Sequence, residues 1–307
     1  LKQGQASSTN NMIEVVLSIN STKTAHSSGV TPQFTRQAEK VSILETSVRF
    51  LLDGTKQLVV SNGNMLMSTN KSIVLIMGKP NTGKSTSLRN LPQESMVYLN
   101  TDLKEIPFRD RFASTVEIAD ANDILEYIPE IEAAEGITGG VLDTLTFLMQ
   151  MYERQYVVPF AGTKTGQAAW GDYGNFYRNL IHAIKSGTKN YAILAHEAAE
   201  YNEQSLRTDS FVPIKGAVGK VGVEADFTTI LSTKQMPVKV LEKYPNALLN
   251  ITDAEREDGV KYVFQTRITK ESAGEKMRSA MGLWNRDELY IDNDLALVFN
   301  RLNEFYG

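Results

Sequence analysis

From residue 73 onwards, short apolar runs of strand length alternate with segments whose apolar residues have helical spacing. The apolar runs predict strands at 73–77, 96–99, 115–118, 139–143, 191–195, 226–231, 238–241 and 260–268. Helices are predicted at 86–91, 120–134, 145–157, 176–184 and 294–305. Because parallel strands need crossover connections, this alternation predicts an α/β fold with a mostly parallel central sheet that is flanked by helices.

The first 70 residues have a different pattern, since they are rich in Ser, Thr, Asn and Gln. Within them, 12–19 has strand composition, 41–52 has helical spacing, and Asn62-Gly63 predicts the turn of a small hairpin. We therefore predict an N-terminal appendage over residues 1–70 and a core over 71–307. The appendage is either a segment for oligomerisation or a flexible arm.

The composition is typical of a globular protein, with 42% hydrophobic and 22% charged residues. No apolar run approaches the roughly 20 residues that cross a bilayer, and the start carries no secretion signal, so we expect a cytoplasmic protein. The chain has no cysteine, which excludes disulfides and thiolate metal sites, and its three histidines disfavour a multi-histidine metal site. Since the net charge is −4, any contact with nucleic acid needs a local basic surface.

The stretch from Gly78 to Ser85 matches the phosphate-binding pattern G-x-x-x-x-G-K-[ST] at every fixed position. A predicted strand precedes it and a predicted helix follows, which is the context that the motif requires. Glycines let backbone N–H groups turn toward phosphate, Lys84 reaches the β- and γ-phosphates, and the Ser85 hydroxyl ligates Mg²⁺. The sequence thus predicts a site for ATP and Mg²⁺, against the alternative of a glycine-rich turn that binds nothing. The predicted nucleotide-binding residues are Gly78, Lys79, Pro80, Asn81, Thr82, Gly83, Lys84, Ser85 and Thr86.

Four polar residues at or after predicted strand ends join Lys84 as catalytic candidates. Asp143 ends a strand, where a carboxylate commonly holds Mg²⁺ together with the P-loop hydroxyl, although it could instead cap the helix that follows. Asp102 and Glu105 follow the strand after the P-loop, and either could polarise the attacking water; the alternative is two solvated loop charges. His196 ends a later strand and is either a sensor of the γ-phosphate or a structural histidine.

Two segments rich in glycine and polar residues are predicted as long loops, over 158–172 and 197–225. Basic groups with an aromatic side chain can follow a single nucleic-acid strand, because the backbone is anionic and the bases stack. Solvent loops, or loops ordered by a subunit contact, are the alternative. The candidates for DNA contact are Lys164 and Trp170 in the first segment and Arg207, Lys215 and Lys220 in the second.

Taken together, the P-loop, Asp143-Thr144 after a short strand, His196-Glu197 after the next and the two glycine-containing segments resemble the RecA superfamily of P-loop ATPases. More narrowly, several segments resemble bacteriophage-encoded RecA-like ATPases linked to single-strand annealing and recombination. These segments are 98–102, 142–149, 169–173 and 290–295. The resemblance covers roughly residues 70–307 and none of the preceding part.

This resemblance implies a RecA-like core that assembles into homo-oligomeric rings or filaments, with ATP at subunit interfaces and single-stranded DNA bound by the two loops. It also implies a basic residue that reaches the γ-phosphate of the neighbouring subunit, for which Arg267, Lys270 and Arg278 are the candidates. A single-strand-binding protein is a further expected partner, and a phage-encoded protein would work in the host cytoplasm. Asp102 stands where the resemblance would more commonly place Glu, which keeps Glu105 as the alternative.

The predicted function is therefore that of a Mg²⁺-dependent ATPase that binds single-stranded DNA and acts in recombination or annealing. One alternative is a DNA-translocating or helicase-like motor, although no separate strand-separating element is evident. Another is a nucleotide-controlled assembly protein that binds no DNA. A small-molecule kinase is disfavoured because the sequence has no compact basic lid for an acceptor.

Overall fold

The computed structural model describes residues 72–307, and before them the backbone of two strands, β1 Leu58–Ser61 and β2 Asn64–Met67. These two strands pair with each other, which confirms the pairing expected on either side of Asn62-Gly63. The expected strand at 12–19, the expected helix at 41–52 and the expected boundary at residue 70 lie outside the described residues.

A large mixed sheet dominates the described part of the chain. Its strands and those of a small hairpin are β3 Ile73–Gly78, β4 Met96–Asn100, β5 Ser114–Glu117, β6 Gly139–Asp143, β7 Asn190–His196, β8 Ala198–Asn202, β9 Arg207–Phe211, β10 Thr229–Pro237, β11 Val260–Gln265 and β12 Tyr290–Asp292. The large sheet has the order β12-β11-β10-β3-β7-β6-β4-β5, while β8 and β9 form the hairpin. From β10 to β5 every neighbouring pair is parallel, and β11 and β12 add an antiparallel edge, so the predicted mostly parallel α/β sheet is confirmed.

Helices cover the two faces of this sheet. They are α1 Ile124–Ala133, α2 Leu145–Tyr152, α3 Gly166–Ser186, α4 Gly216–Val221, α5 Val238–Leu241, α6 Asp253–Asp258 and α7 Leu295–Tyr306. Side chains alternate along a strand, so Leu75 and Met77 of β3 pack in one core with α1, α2 and α3, while Val74 and Ile76 pack in the other with α7. None of these helices combines the length and the hydropathy needed to cross a bilayer.

Caps explain several helix boundaries. The Thr144 hydroxyl accepts from the Phe147 N–H at the start of α2, and the Asp294 carboxylate accepts from the Ala296 N–H at the start of α7. Each cap satisfies a backbone donor that the first turn of a helix leaves free. The predicted helix at 294–305 is thereby confirmed within a residue at each end.

Two shorter elements differ from the prediction. The strand predicted at 238–241 is wrong, because these residues form the single turn of α5 after β10 has already ended at Pro237. A short apolar run fits either element, and the length of the preceding strand decides between them. After the P-loop, the predicted helix is reduced to one 3₁₀ turn, Ser85–Leu88, before Pro92. The phosphate site therefore has little helix dipole behind it.

The prediction of two long loops is wrong. In 158–172, residues 158–165 form a 3₁₀ turn at Val158–Phe160 followed by further turns, and α3 takes up the rest of the segment from Gly166. The segment 197–225 folds into the β8–β9 hairpin, α4 and the start of another 3₁₀ turn. Glycine lowers helix propensity, but tertiary packing overrides it here. The signal that favours the helix is a set of buried residues at helical spacing, Ala169, Tyr173, Phe176, Tyr177 and Leu180.

Candidate nucleotide-binding site

The P-loop leaves the end of β3, which lies between β7 and β10 at the centre of the parallel sheet. Gly78 is required by close packing, because an added Cβ would lie 2.0 Å from the Thr233 Oγ1 atom. Gly83 has φ +93°, and its carbonyl accepts a 2.7 Å hydrogen bond from Asn293 Nδ2. Asn81 also has a positive φ of 60°. The loop therefore has left-handed backbone at Asn81 and Gly83, and the hydrogen bond from Asn293 holds it against the segment after β12.

Lys84 is buried, with 7% of its surface exposed. Its Nζ atom donates to the carbonyl oxygens of Gly78 and Lys79, each at 2.9 Å, and these bonds tie the two ends of the loop together. Burial lowers the pKa of Lys84 to about 8, while the negative charges of Asp143 and Glu197 oppose this shift. The side chain thus keeps its positive charge at neutral pH in a site where phosphate oxygens would replace water.

Asp143 ends β6 and meets the P-loop through Ser85. The Ser85 hydroxyl donates to Asp143 Oδ2 at 2.7 Å, and the Tyr98 hydroxyl donates to the same oxygen at 3.0 Å. Burial raises the pKa of Asp143, and both hydrogen bonds counteract that rise. The Ser85 hydroxyl and the buried Asp143 carboxylate lie side by side, and both are oxygen ligands of the kind that Mg²⁺ prefers. A cation bound between them would offset the cost of burying the carboxylate. The residues present therefore fit a magnesium ion.

The two candidate bases differ in their surroundings. Asp102 forms an ion pair with Lys104 at 2.8 Å, and its side chain is 24% exposed. The side chain of Glu105 is 84% exposed and pairs with Arg111 at 2.5 Å. Both residues line the same cavity as Lys84, but the side chain of Asp102 is much less exposed than that of Glu105. Its position favours contact with a bound water or phosphate over the more exposed Glu105.

His196 ends β7, the strand that separates the P-loop strand from the Asp143 strand. Its backbone N–H donates to Thr146 Oγ1 at 2.9 Å, and its ring meets the edge of Phe147 with centroids 5.0 Å apart. Burial lowers the pKa of His196, and the positive charge of Lys84 lowers it further. Both effects favour the neutral imidazole, which offers one donor and one acceptor.

These groups surround one cavity of about 330 Å³. The cavity brings together every catalytic candidate from the sequence. Its lining includes Gly83, Lys84, Ser85, Tyr98, Asp102, Glu105, Asp143, Thr144 and His196. The arrangement offers a buried cation, a hydroxyl–carboxylate pair and a further carboxylate, which is the set that a metal-bound triphosphate requires.

Two residues of this site were missed by reasoning from the sequence. Tyr98 precedes the end of β4 by two residues, and the register of β4 with β6 sets it opposite Val141, near Asp143. Side chains alternate along a strand, so the position of Tyr98 two residues before the strand end could have indicated that it faces the site. Asn293 lies 210 residues from Gly83 along the chain, so no local pattern indicates the hydrogen bond between them.

The three basic candidates for reaching a neighbouring subunit do not line this cavity. Arg267 donates to the carbonyls of Asn285 and Arg286, and Arg278 donates to the carbonyl of Glu224. Lys270 is exposed, and within residues 72–307 it is the one of the three without a hydrogen bond or ion pair. Of the three, Lys270 is therefore the side chain that is free to reach another molecule.

The candidates for DNA contact fall into two groups. Arg207 lies on the β8–β9 hairpin and pairs with Asp209 at 2.7 Å. Trp170 packs on Tyr173 with centroids 5.4 Å apart and lies against Gly216, next to Lys215, which pairs with Glu153 at 2.8 Å. Lys164 precedes α3 and Lys220 lies in α4, and both are exposed. Since α3 and α4 pack together, Trp170 and Lys215 belong to one surface, whereas Arg207 lies on a separate hairpin.

A protein-family model described as an AAA domain matches residues 70–274, about two thirds of the chain. The match begins just before β3 and includes the P-loop, Asp143, His196 and the β8–β9 hairpin. No curated protein matches the chain. The matched region therefore contains every catalytic candidate of the cavity.

Proposed function

Because this chain belongs to the AAA domain family of P-loop nucleotide triphosphatases, we propose that it is a Mg²⁺-dependent ATPase that converts ATP and water to ADP and phosphate. The observation that carries the proposal is the meeting of Lys84, Ser85 and Asp143 at one cavity, with Ser85 Oγ 2.7 Å from Asp143 Oδ2. The buried ammonium group of Lys84 can bind phosphate oxygens, and the adjacent hydroxyl and carboxylate can bind the metal ion of a metal-bound triphosphate.

Each side chain has a defined task in this proposal. Backbone N–H groups of the P-loop hold the phosphates, and the Lys84 ammonium leaves the loop carbonyls to meet the β- and γ-phosphate oxygens. Ser85 and Asp143 would hold Mg²⁺, which would neutralise charge that develops on the phosphates. Tyr98 fixes the orientation of Asp143 through the hydrogen bond to Oδ2. Asp102 orients the attacking water and accepts its proton.

His196 is proposed to report the state of the γ-phosphate. It lines the cavity, and the next residue, Glu197, donates its backbone N–H to the Gly78 carbonyl at 3.1 Å. The β8–β9 hairpin starts immediately afterwards, at Ala198. One residue, Glu197, therefore separates an imidazole that could contact the γ-phosphate from the hairpin, which suits a nucleotide-dependent switch.

Removal of the metal tests the ATPase proposal. The purified chain should release phosphate from ATP in the presence of Mg²⁺, and an excess of EDTA should reduce release to the uncatalysed level, because Ser85 and Asp143 lack the cation they hold. Restored release after Mg²⁺ is added back would exclude irreversible unfolding. Release that is equal with and without Mg²⁺ would contradict the proposal.

We further propose that the chain works as a RecA-like homo-oligomer, ring or filament, on single-stranded DNA in recombination or annealing. Support comes from the surface of α3 and α4, where the 39%-exposed indole of Trp170 lies next to Lys215. Exposed Lys164, just before α3, and exposed Lys220, within α4, supply further positive charge. Lys270 is the proposed contact with a nucleotide on the neighbouring subunit, and a single-strand-binding protein is a proposed partner.

Trp170 gives the DNA proposal a sharp test. Replacing it with alanine should weaken binding of a fluorescent oligothymidine by about tenfold, since stacking on one aromatic side chain contributes roughly 1–3 kcal/mol per base. Anisotropy would be measured with and without a non-hydrolysable ATP analogue, and the analogue should tighten binding by the original chain.

Tyr201→Ala is the matched control, because Tyr201 is an exposed aromatic residue on the hairpin, at 60% exposure. We expect it to leave binding unchanged, since the segment from Glu197 to Phe211 carries four carboxylates against one arginine. Equal binding by all three proteins, or no dependence on the analogue, would contradict the DNA proposal and leave the ATPase proposal intact.

One observation favours a second candidate, a nucleotide-controlled assembly protein that binds no DNA. Two of the four basic candidates, Arg207 and Lys215, are already paired with carboxylates of the same chain. In that case particle size would respond to ATP and not to DNA. A translocating or helicase-like motor is the remaining alternative, and unwinding of a forked duplex that depends on ATP would distinguish it.

A further inference from the structure

A second cavity, of about 380 Å³, lies beside the nucleotide cavity and shares the P-loop with it. Pro80, Asn81 and Gly83 line the first cavity, whereas Lys79 and Thr82 line the second. His196 and Glu197 are divided between the two cavities in the same way. The rest of the second cavity comes from the β8–β9 hairpin, β10 and the segment 271–275. None of the proposed steps of ATP hydrolysis uses this space.

Buried polar atoms without partners converge on this cavity. Ser210 and Ser232 are 4% and 3% exposed, and neither hydroxyl makes a regular hydrogen bond within residues 72–307. Glu275 Oε2 is equally unpaired, although Glu275 Oε1 accepts from Lys234 Nζ at 2.5 Å. Ser210 lies close enough to Glu197 to lower its pKa, but without regular hydrogen-bond geometry. Since buried polar groups are normally satisfied, these atoms indicate a polar occupant.

The charges of the lining indicate which kind of occupant. Three carboxylates, of Glu197, Glu271 and Glu275, face two lysines, and Lys234 is already engaged with Glu275. Burial raises the pKa of Glu197, and the negative charge of Glu275 raises it further. The lining therefore carries three carboxylates against two ammonium groups, one of which is already paired, so the complementary group is a cation that carries several N–H donors.

A bare metal ion fits less well. The described residues hold no cluster of three or more carboxylate, histidine or cysteine ligands arranged for a metal. The cavity is also far larger than one ion, and its lining adds the hydroxyls of Thr208, Thr233 and Ser272. A planar guanidinium with its stem matches this space better, because its five N–H donors can meet two carboxylates and two hydroxyls together.

We propose that this second cavity binds a guanidinium group, between the carboxylates of Glu197 and Glu275 and the hydroxyls of Ser210 and Ser232. The group belongs either to an arginine of a second copy of this chain or to a small alkylguanidine. Binding also alters the nucleotide site, because Thr82 Oγ1 is joined to Thr233 Oγ1 at 2.6 Å and to the Lys79 carbonyl at 2.7 Å in the shared wall. The coupling to nucleotide rests on the proposed ATPase function, whereas the binding does not.

The test uses ethylguanidinium and its neutral counterpart ethylurea, titrated into the full chain by calorimetry. Ethylguanidinium should bind saturably and ethylurea should not, because the two differ in charge and hardly in shape. Glu197→Gln should weaken ethylguanidinium binding by about tenfold or more, as expected when a hydrogen bond to a charged group is lost. Glu203→Gln changes the net charge equally at an exposed hairpin position and should leave binding unchanged.

Two further measurements separate the possible outcomes. Lys84→Ala should retain ethylguanidinium binding even where ATP turnover is lost, so failure of the nucleotide site cannot be mistaken for failure of this proposal. In sedimentation velocity, an arginine of a second copy predicts self-association that ethylguanidinium and Glu197→Gln both reverse. A small alkylguanidine predicts saturable binding without a change in mass. No saturable binding together with unchanged association would overturn the proposal and assign the cavity to water alone.

Discussion

Replacing Lys84 with alanine should lower ATP turnover by at least about 10²–10³-fold, the loss that follows removal of one preorganised donor from a developing charge. The ammonium is the buried cation of the cavity, and its Nζ atom also ties the Gly78 and Lys79 carbonyls together. The substitution removes both the contact with phosphate and the link across the loop. Nucleotide affinity should fall as well, which is measured with a fluorescent ATP analogue.

The same substitution at Lys239 is the control, since Lys239 is exposed on α5 and outside the cavity. It should leave turnover and affinity unchanged. Thermal unfolding of both variants checks the fold, and Lys84→Ala should unfold near the original temperature because burial already disfavours the charged form of this lysine. A Lys84→Ala protein that hydrolyses ATP at the original rate would show that the chemistry takes place elsewhere.

The sequence indicated which residues would lie together at this cavity better than it predicted the elements around them, for a physical reason. Carboxyl ends of parallel strands meet at one edge of a sheet, so residues that end β3, β6 and β7 must lie together once the order of strands is set. The P-loop pattern fixes Lys84 and Ser85 by backbone geometry that few sequences can adopt. Neither inference depends on knowing how the connecting segments fold.

The segments between the strands were harder to predict because local propensity competes there with packing. Gly166, Gly171 and Gly174 favour a loop, yet the helix α3 contains all three because its buried face extends from Ala169 to Ile184. The strands of the β8–β9 hairpin could not be predicted from composition either, because they are polar and largely exposed. The contact between Asn293 and Gly83 depends on the antiparallel edge of the sheet, which no local pattern encodes.

Replacing Asp102 with asparagine should reduce kcat by about 10²–10⁴-fold, the usual contribution of a positioned general base, with little change in the KM for ATP. Asp102 lines the cavity with 24% of its side chain exposed, whereas Glu105 is 84% exposed and turned toward Arg111. Glu105→Gln, the matched removal of a carboxylate three residues later, should therefore change kcat by less than about threefold, within the range of surface substitutions.

Magnesium dependence makes the role of Asp102 distinguishable from metal binding. The negative charge of Asp102 helps to raise the pKa of Asp143, so its removal leaves Asp143 easier to ionise and more available to a cation. The Mg²⁺ concentration for half-maximal activity of Asp102→Asn should consequently stay equal to that of the original chain or fall below it. A large rise would assign Asp102 to the metal. A loss of turnover in Glu105→Gln with Asp102→Asn unaffected would transfer the water-orienting role to Glu105.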